Sequence, residues 1–280
     1  MEAVYFWRSW NRHKQLALIC LLAGALIVGI FVINFGLSGQ GLSMNIEAAE
    51  TTPSVQYPFG TDWLGRDMFT RTMIGLKNSL GVGLLSSFLS VLIAFVLGFT
   101  SIFGNKRLDS LVGLLIDLCL GVPHLVLMVM ISAALGGGKT GVVVAVALTH
   151  WPSLTRLIRA EVLQLRNEHY VAVARQMGKS PLFITFRHIL PHLLPVVMVQ
   201  AVLLFPHTIL HEAAVTFLGF GLSPMIPAIG VILSESIQYI AMGLWWLVVF
   251  PGLSLLLMVI SFEAIGDSLR ILMDPYKSQE

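Results

Sequence analysis

Six long apolar stretches run through the sequence, and each is close to the length that a helix needs to cross a membrane, about 20 residues. They are Leu16 to Phe35, Leu80 to Phe103, Leu111 to Leu135, Gly141 to Leu157, Leu193 to Leu218 and Leu244 to Ala264. Only 11% of the 280 residues are charged, whereas roughly a quarter are charged in a soluble domain. The sequence therefore predicts an all-α membrane protein with six transmembrane helices.

The basic residues predict how these helices are oriented. The first stretch follows Arg8, Arg12 and Lys14, but it is longer than the apolar part of a secretory signal peptide. We therefore interpret residues 16–36 as a retained anchor behind a cytoplasmic segment, 1–15. Loops rich in Lys and Arg stay in the cytoplasm. With the N-terminus inside, the external loops hold only Arg66, Arg71, Lys77 and Lys139 out of 17 Lys and Arg, so both termini, including residues 266–280, are expected to be cytoplasmic.

Two external segments and one large internal segment separate the predicted spans. Residues 37–79 form the first external loop, and residues 219–243 form the second, whose one charge is Glu235. In the internal segment, about 158–192, helical spacing relates Val162, Leu165, Val173 and Met177. Gly178-Lys179-Ser180-Pro181 then breaks the helix. We expect a helix-break-helix on the cytoplasmic face that a partner protein covers, or alternatively an amphipathic helix resting on lipid headgroups.

Composition and motif spacing argue against two kinds of binding. A net charge of +2 provides no basic surface for nucleic acid. Residues 133–140, Ala-Ala-Leu-Gly-Gly-Gly-Lys-Thr, differ from a P-loop only in that Ala133 replaces the first glycine. A phosphate cradle needs a preceding strand and a following soluble helix, whereas these glycines join two predicted spans on the external side. We therefore expect no nucleotide site and no ATPase activity in this chain.

Ionisable residues inside the apolar stretches are candidates for a pathway, because charge at membrane depth is costly. They are Asp117, His124, His150, His207, His211, Glu212 and Glu263. His207 and His211 are four residues apart, so both imidazoles fall on one helix face and are spaced to share a metal ion. The alternative is that these histidines hydrogen bond to neighbouring helices or line a pore without metal. The pattern of a metalloprotease is absent, because no glutamate directly follows His207.

Four separated parts of the chain resemble one family of membrane transporters. Residues 168–180, with 186–191, are similar to the signature of the inner-membrane permease subunits of binding-protein-dependent ABC importers. Three further stretches are similar to other motifs of that family: 59–67, 212–221, and 266–270 with Asp274-Pro275. The likeness covers nearly the whole chain and is nearest to the dipeptide, oligopeptide and nickel permeases.

The resemblance implies the type I ABC importer permease architecture, with a transmembrane core at 80–265 and a cytoplasmic coupling helix that docks into the ATPase subunit. The implied coupling residues are Glu168, Tyr170, Ala172, Ala174, Gly178 and Ser180. The family motif begins with a glutamate where this chain has Ala172, so an ion pair made by that glutamate is absent or replaced through Glu168 or Arg175. Arg66 and Asp67 are candidates for contact with an external binding protein, or alternatively for an ion pair that shapes the loop.

Histidine positions make the resemblance lean toward the nickel-type permease. Thr149-His150-Trp151, and His207 to His211 ahead of Glu212, are similar to stretches of that permease. We therefore predict a translocation pathway that includes His150, His207, His211 and Glu212, with metal contact at His207 and His211. The predicted function is half of an ATP-driven import pore for nickel or a related transition metal, free or chelated, with dipeptides or oligopeptides as the alternative.

The resemblance also implies partners and a location. The expected partners are a second, different permease chain, two ATPase subunits that bind ATP and Mg²⁺, an extracytoplasmic binding protein and the lipid bilayer. No cofactor is expected on this chain, which is predicted to be a multi-pass protein of the bacterial cytoplasmic (inner) membrane. Two other classes remain as alternatives: a secondary transporter that needs no ATPase, for which the expected inverted repeats are not visible, and an intramembrane enzyme.

Overall fold

The described part of the chain, in a computed structural model, consists of residues 12–37, 42–100 and 106–273, and it is helical with no β-strand. Its α-helices are α1 (Arg12–Gly36), α2 (Met68–Phe99), α3 (Lys106–Leu120), α4 (His124–Ala134), α5 (Gly138–Arg166), α6 (His169–Gln176), α7 (Pro181–Ile184), α8 (Leu190–Phe217), α9 (Ile229–Ser236) and α10 (Trp246–Met273). A π-helical turn, Thr185–Ile189, joins α7 to α8, and short 3-10 helices occupy Ile46–Ala48 and Ile237–Met242. The predicted all-α architecture is confirmed.

Five of these segments are long and apolar enough to span a membrane without a break: α1, α2, α5, the continuous run Pro181–Phe217 and α10. The predicted third span is wrong as a single straight helix, because α3 and α4 meet at an angle of 95°. Gly121 and Pro123 lie in the connection, where proline cannot continue the backbone hydrogen bonds of a helix. The six predicted spans are present when this bent pair is counted as one.

Several predicted boundaries shift once packing is included. Residues 68–79, predicted as part of the first loop, form the beginning of α2, and residues 229–236 of the second loop form α9. The predicted fourth span is too short, because α5 continues through Pro152 to Arg166. Val162 and Leu165 therefore belong to a spanning helix, and the break comes at Asn167 and Glu168. Residues 1–11, 38–41, 101–105 and 274–280 of the predicted segments lie outside the described residues.

Among the described residues, the buried apolar side chains form three packed groups. The first joins α1, α2, α8, α9 and α10, and its most buried members include Met68, Ile209, Ile232 and Leu247. The second joins α2, α3 and α5 to the stretch from α6 to the start of α8, through Ile158, Val171, Ile184 and Leu193. The third lies between α2, α4, α5, α8 and α9, around Met128 and Val142. The second group anchors the predicted coupling segment to the spanning helices.

The glycine-rich connection that resembled a P-loop is a tight turn between α4 and α5. Gly136, Gly137 and Gly138 all have positive φ, between 69° and 81°, which side-chain-bearing residues rarely adopt. The Gly137 amide donates to the Ser132 carbonyl, and the Gly138 amide donates to the Gly221 carbonyl. These two amides are therefore engaged in joining the turn to its neighbours.

Candidate functional site

A cavity of about 530 Å³ opens between α5, α8 and α10. Its wall consists of His150, Ser153, Leu154, Leu157, Gln200, Leu203, Leu204, His207, Glu263, Asp267 and Arg270. On each helix these residues recur at intervals of three or four, so one face of each helix contributes to the wall. Ionisable groups on the inner faces of spanning helices mark a pathway by default.

The cavity combines both signs of charge with apolar surface. Glu263, Asp267 and Arg270 lie on successive turns of α10, and all three are exposed. His207 on α8 is also exposed, whereas His150 on α5 is buried. Such a wall offers hydrogen bonds and charge to a polar solute, and leucine side chains to an apolar one. Of the four predicted pathway residues, His150 and His207 line this cavity.

His207 and His211, the predicted pair of metal ligands, lie one turn apart on α8 and have different surroundings. His211 packs instead against His150 and His124, and ligand atoms of these three side chains all lie within 4.8 Å of one another. The Nδ1 of His211 approaches the backbone carbonyl of His207 at 2.8 Å, while the His207 side chain lines the cavity. The structure therefore places His211 in a three-histidine cluster that the sequence did not predict, and metal contact at His207 and His211 stays a prediction.

Glu212 is placed away from the cavity wall. Its side chain is fully buried and accepts a hydrogen bond of 3.0 Å from Thr216, one turn along α8. Thr216 in turn accepts the backbone N–H of Leu222. Glu212 thus contributes to the packing of the end of α8 against the following loop, and the structure does not place it with His150 and His207.

A buried ion network holds the loop before α2 against α9. Arg71 is 2% exposed; its Nη1 lies 2.7 Å from Asp62, and its Nη2 lies 2.7 Å from Glu235. Arg66 also pairs with Asp62, at 2.7 Å. The second carboxylate oxygen of Asp62 accepts the backbone N–H groups of Leu64 and Arg66. We call this region, residues 42–67 together with α9, the cap.

Aromatic contacts complete the cap. Trp63 stacks on Tyr239 and Phe59 stacks on Phe250, with ring centroids 4.3 and 4.6 Å apart. The indole N–H of Trp246 donates to the Thr61 carbonyl at 3.1 Å. The cap is therefore tied to α10 as well as to α2.

Arg66 and Asp67, predicted as contacts for an external partner, both have internal roles. Arg66 pairs with Asp62 rather than with its neighbour, and its side chain is 17% exposed. Asp67 caps the N-terminus of α2 by accepting the backbone N–H groups of Phe69 and Thr70. These contacts favour the alternative in which the charges shape the loop.

The predicted coupling residues lie in the segment of residues 167–189, which we call the α6–α7 segment. Tyr170, Ala172, Gly178 and Ser180 are exposed, and Glu168 is half-buried. Ala174 is buried at 6% exposure, so it packs against the rest of the chain and presents no docking surface. The exposed apolar surface comes instead from Val173, Met177, Leu182, Phe183 and Phe186, which the prediction did not select.

The break inside the α6–α7 segment has the geometry that its sequence predicts. Gly178 has a φ of +74°, and the N–H of Lys179 donates back to the Ala174 carbonyl, which closes the end of α6. Ser180 then caps α7 by accepting the N–H of Phe183, with Pro181 in the first turn. Burial, and next the nearby Glu168 carboxylate, raise the pKa of Tyr170 above its ordinary value, so this phenol remains an uncharged donor at neutral pH.

Two ion pairs join α3 to α5. Arg156 lies 3.0 Å from Asp117, and Arg159 lies 2.7 Å from Asp109. Asp117, one of the candidate pathway residues, is therefore part of a surface contact with 73% of its side chain exposed. The set that sequence reasoning missed is Asp62, Arg71 and Glu235. Asp62 and Arg71 are nine residues apart, but Glu235 lies 164 residues beyond Arg71, so no local pattern joins it to the other two.

A family comparison matches more than half of the chain. Residues 88–275 match the family described as binding-protein-dependent transport system inner membrane component. The dipeptide transport system permease protein of Bacillus subtilis is 30% identical over 273 residues, which cover 95% of this chain and 84% of that protein. The di/tripeptide transport system permease protein of Pseudomonas aeruginosa is 38% identical over 277 residues, covering 96% and 91%.

Solved structures show the same fold at low sequence identity. An amino acid ABC transporter determined with histidines matches with a TM-score of 0.57 at 17% identity, covering 71% of this chain and 92% of that one. The inward-facing MetNI methionine ABC transporter matches with a TM-score of 0.54 at 18% identity, covering 70% and 94%. The relatives named above carry peptide names, so they support the peptide alternative, and nickel as the predicted substrate finds no support among them.

Proposed function

The chain belongs to the family of binding-protein-dependent transport system inner membrane components, and from this premise we propose that it forms half of an import pore for dipeptides or oligopeptides. It is a multi-pass inner-membrane permease subunit of an ABC importer and not an enzyme, since ATP hydrolysis occurs on separate subunits. Membership of the family removes the alternatives of an ATP-independent transporter and an intramembrane enzyme. The observation that carries the peptide assignment is the likeness to peptide permeases over almost the entire chain.

The chemistry of the cavity supports a peptide substrate. A peptide carries an amino group, a carboxylate and side chains of varied polarity. Glu263 and Asp267 offer acceptors to the amine, and Arg270 offers paired donors to the carboxylate. Leucines on α5 and α8 provide the apolar part of the wall. A pore that must accept many peptides benefits from such mixed, weakly selective contacts.

The exposure of the cavity wall supports a pore made by two chains. Glu263, Asp267, Arg270 and His207 are all exposed in the single chain. Charged groups at membrane depth are normally covered by protein or face water. A second homologous permease, a different chain, would place its own helices opposite this wall and close the pathway off from lipid.

The remaining partners follow from the family and from the exposed α6–α7 segment. We place this segment in the cytoplasm with both termini, where two ATPase subunits bind ATP and Mg²⁺ and one of them contacts it. An extracytoplasmic binding protein delivers the peptide at the cap. Val173, Met177 and Phe186 then lie within the ATPase interface, where their apolar surface loses contact with water.

Packing suggests how ATP-driven motion reaches the pore. Val171, Ala174 and Ile184 belong to the same buried group as Ile158 of α5 and Leu193 of α8. Both of these helices line the cavity. A displacement of the α6–α7 segment is therefore transmitted to two of the three cavity walls. Each nucleotide state shifts the pore between inward- and outward-facing forms through the contacts that differ between them.

The substrate assignment is tested by uptake. The complete transporter is expressed in a strain that lacks its own peptide and nickel importers, and uptake of a radiolabelled dipeptide is compared with that of labelled nickel, with and without chelator. We expect ATP-dependent dipeptide uptake that the chelator does not change. Accumulation of nickel without dipeptide uptake would contradict the proposal.

A pair of matched variants tests the cavity itself. Leu203→Trp fills part of the cavity, whereas Met198→Trp adds the same bulk to α8 at an exposed position outside the wall. We expect dipeptide uptake to fall at least several-fold in the first variant and to stay near wild type in the second. Equal uptake by both variants would show that peptides take another route.

A further inference from the structure

We propose that His124, His150 and His211 form a binding site for a divalent first-row transition metal cation. The three side chains come from α4, α5 and α8, with ring centroids 4.6 to 4.9 Å apart. Among the described residues, no other group of three or more His, Cys, Asp and Glu brings its ligand atoms as close together. The site concerns a cation held by this chain, and it is separate from the peptide that the pore is proposed to carry.

Hydrogen bonds to backbone carbonyls orient two of the imidazoles as metal ligands. The Nδ1 of His150 lies 2.9 Å from the Val146 carbonyl, and the Nδ1 of His211 lies 2.8 Å from the His207 carbonyl. A carbonyl only accepts, so both rings carry their proton on Nδ1 and keep a lone pair on Nε2. Histidine ligands in metal sites show this pattern, in which the other ring nitrogen donates to a carbonyl or carboxylate.

An ion at this site requires the three rings to turn toward a common point. A tetrahedral ion with bonds of 2.0–2.1 Å holds its nitrogen ligands about 3.4 Å apart. The Nε2 of His150 lies 3.2 Å from the Nδ1 of His211, but that Nδ1 donates to the His207 carbonyl, so the His211 ring has to turn to bring its Nε2 to the ion. The widest separation of 4.8 Å closes by side-chain rotation, since His124 and His211 are only partly buried.

The ligand set indicates which cations fit. Three neutral imidazoles suit Zn²⁺, Ni²⁺, Co²⁺ and Cu²⁺, whereas Mg²⁺ and Ca²⁺ require oxygen ligands. Three protein ligands leave a fourth position for water or for a group from another molecule. His150 also lines the cavity, so that position lies beside the proposed peptide pathway.

Metal binding by the purified full-length chain tests the site. The chain is prepared with a tag that contains no histidine, stripped with chelator, and dialysed against Zn²⁺ or Ni²⁺. We expect one tightly bound equivalent per chain. Replacing His124, His150 or His211 by alanine should weaken binding at least about ten-fold, because even indirect supports of metal ligands cost that much when removed. His207→Ala, on α8 one turn before His211, is the matched control and should bind as wild type does.

A second measurement uses only the wild-type chain, so it does not depend on whether a variant folds. A metal that binds only the folded chain stabilises it by an amount that grows with the logarithm of the free metal concentration once the site is filled. The unfolding temperature of the wild-type chain should therefore rise with Zn²⁺ and should not rise with Mg²⁺. Absence of a stoichiometric ion on the wild-type chain overturns the proposal, as does equal weakening by His207→Ala. Dipeptide uptake is measured separately, so loss of the metal site and loss of the peptide assignment are distinguishable.

Discussion

The cap and the α6–α7 segment are held to the rest of the chain by different kinds of contact. Both connect helices outside the spanning core, yet the cap contributes Asp62 to an ion pair with Arg71 of α2 in which neither side chain is more than 2% exposed. The α6–α7 segment is attached through apolar side chains, Val171, Ala174 and Ile184. Both regions also expose apolar side chains, such as Ile46 in the cap and Met177 in the α6–α7 segment, and we propose that the ATPase covers the latter. Stability and coupling should therefore depend on different ends of the molecule.

The largest expected effect on stability comes from the cap. Asp62→Ala removes the carboxylate that Arg66 and Arg71 share, and it leaves the guanidinium of Arg71 buried beside Glu235 alone. Breaking a buried pair in this way costs about 3–5 kcal/mol. Thermal unfolding of the purified chain should show the loss. Glu47→Ala, at an exposed position in the same loop, is the control. Equal unfolding temperatures for the two variants would contradict the special contribution of the cap to stability.

A smaller effect is expected at the turn between α6 and α7. Gly178→Val introduces a branched side chain at positive φ, where L-residues are disfavoured by about 1–2 kcal/mol, although no neighbouring atom lies within 4 Å of the added Cβ. The chain should still insert in the membrane but lose ATP-coupled uptake. Gly252→Val, in α10 with equally open surroundings, should transport normally. Normal uptake by the Gly178 variant would argue against coupling through this turn.

The N-cap residue of α7, Ser180, should contribute still less to the free energy of unfolding. Ser180→Ala removes the acceptor for the Phe183 N–H and should cost about 1 kcal/mol, seen as faster hydrogen exchange in α7. Ser180→Asp supplies another good capping oxygen and should restore protection. If Asp does not rescue the alanine phenotype, the hydroxyl of Ser180 acts in some way other than capping.

At Met177 we expect the smallest effect on stability. We expect a large effect there on assembly with the ATPase subunits. Met177→Ser changes an exposed side chain, so the free energy of unfolding should change by no more than about 0.5 kcal/mol. Co-purification with the ATPase subunits should nevertheless fall. Met225→Ser, at a 91% exposed position in the loop before α9, is the control. Unchanged ATPase binding in the Met177 variant would contradict the docking surface.

Sequence periodicity predicted the helices well where one apolar stretch forms one helix. It failed where two helices share a single apolar stretch, as at Gly121 and Pro123, because that stretch continues on both sides of the bend. It also ended α5 too early, since Pro152 and Arg156 resemble a boundary until Asp117 is found opposite Arg156. Apolar periodicity and single proline or charged residues therefore predict helix boundaries poorly in a chain this apolar.

The functional groups were predictable one at a time but not as sets. The turn residues Gly178, Ser180 and Pro181 act locally, and their roles were readable from the sequence. The histidine cluster depends on α4, α5 and α8 meeting, so the spacing between His207 and His211 could not predict that His124 and His150 also lie beside His211. The buried position of Ala174 likewise depends on what lies beneath α6, which the motif does not record.

The run Pro181–Phe217 counts 37 residues as one spanning unit, and at 1.5 Å per residue it measures about 55 Å. A bilayer core is about 30 Å thick, so this unit extends beyond the hydrocarbon. It begins in the α6–α7 segment, passes the cavity and the histidine cluster, and ends beside the loop that leads to α9. One continuous helical run therefore links the α6–α7 segment, which we propose the ATPase moves, to the loop on the other side of the cavity.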